Sequence, residues 1–268
     1  LYSTALGSKI PLIAEILYDS NCLTAVLVES HLKEEMYDAE IHIAGYTSYR
    51  RDRKQRTKGG VVIYLKDYLA GSTEMLFEYC NDTVECIAIH VKQLNAIFVG
   101  IYRPPDCTSA LFNPVLKKLE AAVDELSSPV PEIHLMGDFN FPFVKWKTTD
   151  GVNIGTVHSG GLTDEQMQFK SLTQFAEKYL HSQIIDEPTR KSNVLELCYT
   201  NNQDVYHTIK IHEVSRSFSD HNIIMMETKY VCQEENNHYD ETADNITGFR
   251  KLNFFDEKVD WTKICLVY

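Results

Sequence analysis

Seven apolar stretches of strand length recur along the chain, at 23–29, 60–65, 84–91, 95–102, 132–137, 194–200 and 222–229, against three stretches with helical spacing. The helical ones are 9–19, with Ile10, Ile13, Ile16 and Leu17 on one stripe, 111–126, with Leu111, Val115, Leu116, Leu119, Val123 and Leu126, and 164–180 behind Thr163. So few helices cannot follow every strand, which disfavours an alternating barrel or a Rossmann sheet. Stretches 84–91 and 95–102 are separated only by Lys92, Gln93 and Leu94 and read as a hairpin. The pattern predicts an α/β (α+β) fold in which mixed β-sheets form a sandwich with outer helices.

Composition limits the partners. No apolar run reaches the roughly 18 residues of a membrane helix, so no membrane association is expected. The formal net charge is −12, which argues against a nucleic-acid binder held by bulk positive charge. Seven scattered cysteines without a C-x-x-C pair point to reduced thiols in an intracellular protein. Residue 1 is Leu, and 1–22 carries no readable signal peptide, so a piece of a longer protein is expected. Residues 233–247 hold five acids and no Lys or Arg. They read as a solvated linker, which predicts a domain over 1–231 and, over 232–268, an acidic linker with the start of a connector.

Chemistry-bearing residues gather at predicted strand ends. In Met136-Gly137-Asp138-Phe139-Asn140 a carboxylate and a carboxamide stand two apart at a strand end. They can face one site, Asp138 taking a proton from water and Asn140 donating to an anionic oxygen. Ser219-Asp220-His221 precedes the last apolar strand, Glu29 closes the first, and Tyr102 ends the fourth before Arg103-Pro104-Pro105. Each alone is commonly a turn or a solvated strand end.

Together, in the order Glu29, Tyr102, Asp138-x-Asn140 and Ser219-Asp220-His221, they resemble the endonuclease/exonuclease/phosphatase superfamily. V-E-S-H-L, Y-R-P-P, G-D-F-N-F-P, P-T-R…L-E-L-C-Y-T-N and F-S-D-H-N are similar to the apurinic-endonuclease-like domains of non-LTR retrotransposons, and F-R-K-L-N-F…V-D-W to the stretch leading toward their reverse transcriptase. The resemblance implies a DNase-I-like four-layer sandwich, a Mg²⁺ ion (Mn²⁺ as substitute), and nicking of double-stranded DNA to leave a 3′-hydroxyl for target-primed reverse transcription. It also implies a monomer tethered to a reverse transcriptase and working in the nucleus.

Roles carry over by position. Glu29 and Asp220 would serve the metal, and Asp138 the attacking water. Asn140, Tyr102 and His221 would contact the phosphate, with an acid behind His221. That acid is an Asp in the family's L-D-L motif and is Glu196 here, which predicts a shifted pairing. The family's first strand ends in an Asn; its slot falls near Tyr2, in a run without Asn, so the first strand is expected to be truncated or replaced. These departures motivate a second reading, a retroelement-derived domain without cleavage activity; a phosphomonoesterase of the same superfamily is a third. Residues 50–58 hold six basic side chains, and Arg50, Arg51, Arg53 and Lys54, with Arg103, are the expected phosphate-backbone contacts.

Overall fold

The computed structural model describes residues 6–53, 58–81, 83–126, 129–149, 151–157, 163–215, 218–230 and 262–267. Helix α1 (Leu6–Asp19) leads into β1 (Cys22–Val28), β2 (Tyr46–Arg51) and β3 (Val61–Lys66), and a single helical turn, α2 (Asp67–Ala70), leads to β4 (Thr73–Cys80). The hairpin β5 (Glu85–Val91) and β6 (Ala96–Tyr102) follows, then α3 (Ser109–Asp124), β7 (Glu132–Asp138) and a second hairpin, β8 (Val144–Thr149) with β9 (Val152–Val157). The remainder comprises α4 (Thr163–Lys178), β10 (Ser182–Gln183), β11 (Glu196–Thr200), β12 (Tyr206–His212), β13 (Ile223–Thr228) and β14 (Thr262–Val267).

Twelve of these strands form two six-stranded mixed sheets, β12-β13-β14-β1-β3-β2 and β10-β11-β7-β6-β5-β4. β1 and β14 are parallel, as are β6 and β7. The sheets pack through Leu23, Val26, Val61 and Ile63 on one side and Ile87, Ile89, Phe98 and Met136 on the other. α3 and α4 cover the second sheet with Phe112, Val115, Leu119, Leu172 and Phe175, and α1 covers the first with Leu6, Ile13 and Leu17. Helix, sheet, sheet, helix is the expected four-layer sandwich. No described helix is long and apolar enough to cross a membrane, and the six described cysteines are free.

The seven expected strands and three helices lie within a few residues of their predicted bounds. The apolar pattern does not mark β2, β4, β8, β9, β10 or β12. Their residues are largely half-buried or exposed, so polar residues on the solvent side dilute the apolar signal that marks a central strand.

The expected boundary at residue 231 requires a correction. Residues 262–267, assigned to the connector, form β14 in the interior of the first sheet, paired with both β1 and β13. Thr-Lys-Ile-Cys-Leu-Val is short and alternates only weakly, but every residue except Lys263 is buried. The remaining expected linker residues, 232–261 and 268, lie outside the described set, as does the slot near Tyr2.

Candidate active site

One row of paired residues organises the site. In the second sheet Glu85 is opposite Tyr102, Tyr102 opposite Asp138, and Asp138 opposite Glu196. Residues directly opposite on neighbouring strands lie on the same face of a sheet. Tyr102 belongs to the core between the sheets, so this face looks toward the first sheet.

From that first sheet three side chains reach the row. The Tyr102 hydroxyl donates to Glu29 Oε1; Glu29 directly follows β1. His221, two residues ahead of β13, is hydrogen-bonded through Nδ1 to Glu196 Oε1. Arg53, beyond β2, donates to both carboxylate oxygens of Glu85, and its guanidinium stands 5.5 Å from the centre of the Tyr102 ring. The extra methylene of Glu196 therefore does not displace the pairing: the carboxylate reaches His221.

Backbone geometry makes this convergence possible. Gly137 has φ of 155°, and a Cβ there would overlap the carbonyl oxygen of Ile101 on the adjacent strand. Gly60, at φ 93°, lies where a side chain would collide with Ser30 Oγ, and the Ser30 and His31 amides donate to the Gly60 and Gly59 carbonyls. The loop carrying Glu29 is thus seated on the glycine pair. Glu29 and His31 both have φ of 52° and Asn140 has 48°. Positive φ is uncommon outside glycine, and such residues gather where the surrounding structure fixes a functional loop.

Asp138 is fully buried. The Asn140 amide nitrogens fix its carboxylate: the backbone N–H donates to Oδ1 at 2.9 Å and Nδ2 to Oδ2 at 2.6 Å. Nδ2 also donates to the Arg103 carbonyl at 3.0 Å. Asn140, expected to face a phosphate, here orients the Asp138 carboxylate. Burial, and then the neighbouring Glu29 carboxylate, push the Tyr102 hydroxyl well above its ordinary pKa, so Tyr102 stays a hydrogen-bond donor.

Two further expectations are corrected. Neither Glu29 nor Asp220 belongs to the ligand cluster found among the described residues, and the Asp220 carboxylate pairs with Arg190 and is largely exposed. Burial alone would raise its pKa, but Arg190 outweighs that and holds it below the usual carboxylate range. The expected phosphate-contacting arginines are also occupied. Arg53 is buried on Glu85. Arg103 is fully buried, donating to the Phe139 and Asn140 carbonyls at 3.0 and 3.1 Å and to Gln168 at 2.6 Å. Arg50 pairs with Asp38 and Asp52, and Arg51 with Glu78. A buried guanidinium needs an internal partner, and these positions supply one. Lys54 lies outside the described residues.

Several contributors carry no functional mark in the sequence. Thr189 and Arg190 lie in the P-T-R motif, which by itself assigns them no role. Thr189 Oγ1 accepts from the Leu195 amide at 3.0 Å and the Glu196 amide at 3.3 Å, anchoring the start of β11. Glu85 was hidden inside an apolar strand, where an unexplained acid was the available signal. Burial lowers the pKa of Lys9 on α1, although the nearby Glu29 and Asp220 carboxylates favour its charge.

Asp138, Glu196 and His221 each offer a ligand atom, and these atoms lie within 4.8 Å of one another. Glu196 Oε2 is buried with no hydrogen-bond partner among the described residues. A buried carboxylate oxygen without a donor, beside a second carboxylate, fits a hard divalent cation, which takes oxygen ligands.

Residues 96–225 match a protein family described as endonuclease-reverse transcriptase. No curated protein sequence matches the chain. In three dimensions the chain is similar to the endonuclease domain of TRAS1, a telomere-specific non-LTR retrotransposon, with 14% identity, 82% of this chain and 90% of that one covered, and a TM-score of 0.51. It is also similar to an AP endonuclease from Archaeoglobus fulgidus, at 12% identity over 81% and 93% of the two chains with a TM-score of 0.54. A 3′-5′ exonuclease from Neisseria meningitidis gives 13%, 84% and 96%, and 0.53. At these identities the likeness is one of fold.

Proposed function

We propose that this chain carries an endonuclease/exonuclease/phosphatase-superfamily domain and hydrolyses phosphodiester bonds of double-stranded DNA, nicking one strand to leave a 3′-hydroxyl. In this reading a tethered reverse transcriptase extends that end in the nucleus. The observation that supports it most strongly is the convergence of Asp138, Glu196 and His221 at the strand ends where Glu29 and Tyr102 also meet.

The chain's own groups divide the work. Asp138, held at both oxygens by Asn140, accepts the proton of the attacking water. His221, oriented by Glu196 at Nδ1, presents its other ring nitrogen to a phosphoryl oxygen. Tyr102 keeps its proton and can transfer its hydrogen bond from Glu29 to the phosphate. Asp138 and Glu196, with Glu29 contributed from across the row, are the carboxylates that would hold a divalent cation, Mg²⁺ or Mn²⁺, whose charge would stabilise the scissile phosphate and the leaving oxygen. Positioning and electrostatics supply most of the rate in this chemistry.

Conversion of supercoiled plasmid to nicked circles in the presence of Mg²⁺ tests the reading. Wild type should nick, and Asp138→Ala and His221→Ala should lose activity by about 100-fold or more. Equal activity in wild type and both variants would defeat it.

A further inference from the structure

The two halves of the site are joined by a strand that arrives from elsewhere in the chain. Glu29 directly follows β1, and Asp220-His221 stand just ahead of β13, yet β1 and β13 are not neighbours: β14 lies between them. It runs parallel to β1, with Ala25 opposite Cys265 and Leu27 opposite Val267. It runs antiparallel to β13, with Ile224 opposite Leu266 and Thr228 opposite Thr262. Both of its edges are paired, and its faces feed two cores. Ile264 and Leu266 enter the core between the sheets, while Cys265 and Val267 pack beneath α1 with Leu6, Ile13 and Leu17.

The direction of β14 matters. Parallel to β1, it delivers Val267 to the end of the sheet where Glu29 emerges, and Val267 lines a small cavity there with Glu29, Ser30, Lys9 and Phe218. Neighbouring strands lie about 4.8 Å apart, so a seated β14 holds the Glu29 and His221 strands about 10 Å apart. Were it to leave, β1 and β13 would either close up by one strand spacing or face each other with unpaired backbone groups. In both cases Glu29 would shift relative to His221, while their partners Tyr102 and Glu196 stay fixed in the second sheet.

We propose that residues 262–267 are a positioning strand for the nuclease site, seated in cis between β1 and β13, and that the separation of Glu29 from His221 depends on their being seated. For its catalytic meaning this rests on the function proposed above.

Amide hydrogen exchange and Mn²⁺ binding on the full chain test it without requiring cleavage. In wild type the Ile264, Cys265 and Leu266 amides should exchange as slowly as those of Ile224 to Met226. Ile264→Asp, which places a carboxylate in the inter-sheet core, should strip protection from β1 and β13 while β5, β6 and β7 keep theirs. Mn²⁺ affinity, read by electron paramagnetic resonance, should fall by about 10- to 100-fold, the range seen when groups behind a metal ligand are lost. A free peptide Thr-Lys-Ile-Cys-Leu-Val should restore both, and Ile264→Val should behave as wild type. Fast exchange of 264–266 in the wild-type chain overturns the proposal even if the Asp variant fails to fold. So does protection that appears only as the mass doubles, because the strand then comes from a second copy. Unaltered Mn²⁺ affinity in an unseated variant also overturns it. Slow exchange and coupled Mn²⁺ binding without plasmid nicking would instead defeat the proposed function alone.

Discussion

Glu196, the first residue of β11, and His221, just ahead of β13, are hydrogen-bonded to each other across the two sheets, with both side chains buried. The pair therefore ties the second sheet to the first at the end where Asp138, Tyr102 and Glu29 also lie. Arg53 with Glu85 and Tyr102 with Glu29 make the same crossing along the same row.

The length of Glu196 is matched to this crossing. Glu196→Asp withdraws the carboxylate by one methylene, and Glu196→Gln keeps the length while removing the charge. Both are expected to lower turnover in the nicking assay, Gln by about 100-fold, with little change in DNA affinity. An Asp variant more active than wild type would show that the shorter acid of the L-D-L pattern suits this site better.

Arg103 acts inside the protein. Its guanidinium holds the Phe139 and Asn140 carbonyls and lies 4.4 Å from the centre of the Phe141 ring. Arg103→Ala leaves those carbonyls without their donor and should destabilise the fold by about 1 to 3 kcal/mol for each acceptor left unsatisfied. Arg103→Lys should lower thermal stability and turnover. Neither should alter the slope of log affinity against log salt for DNA, which a phosphate contact would reduce by about one unit. A reduced slope with unchanged stability would return Arg103 to the DNA surface.

At the far end of β7, His134 is buried between Tyr206 Oη at 2.8 Å and Tyr230 Oη at 2.7 Å. Burial, with a smaller push from His181, lowers its pKa to about 3. An unfolded histidine titrates near 6.5, so below that pH the unfolded chain takes up a proton that the folded chain refuses. Stability is unaffected by His134 above pH 6.5 and falls as pH drops from there toward 3, by about 1.4 kcal/mol per pH unit. Urea unfolding at pH 7.5 and 5.0 should show a smaller difference for His134→Gln than for wild type. Equal differences would mean that His134 is protonated in the fold.

The layered architecture was legible because the central strands, such as Val61–Lys66 and Ala96–Tyr102, are buried nearly end to end and read as continuous apolar runs. Glu29, Tyr102, Asp138, Glu196 and His221 were legible as a group because each stands at a strand end, and the register then gathers them. What sequence could not reveal was pairing. Arg53 and Arg103 look like surface cations until Glu85 and the Phe139–Asn140 turn are folded against them. Asp220 stands beside His221 in sequence, yet Arg190 draws its carboxylate away. The place of β14 was hidden for a related reason: six residues carry no mark of which two strands will receive them, and partner choice across long sequence separations is set by the remainder of the sheet.

The chemistry of the nick is the most direct test of a site built from Asp138, Glu196 and His221. Plasmid nicked by wild type in Mg²⁺ should be assayed for its ends, by extension with a DNA polymerase and by labelling of 5′-termini before and after phosphatase treatment. Ends that extend without pretreatment and accept label only after phosphatase, formed by wild type but not by Asp138→Asn, are the expected result. Wild-type nicks that fail to extend until a 3′-phosphate is removed, or nicks that Asp138→Asn forms equally well, would contradict it.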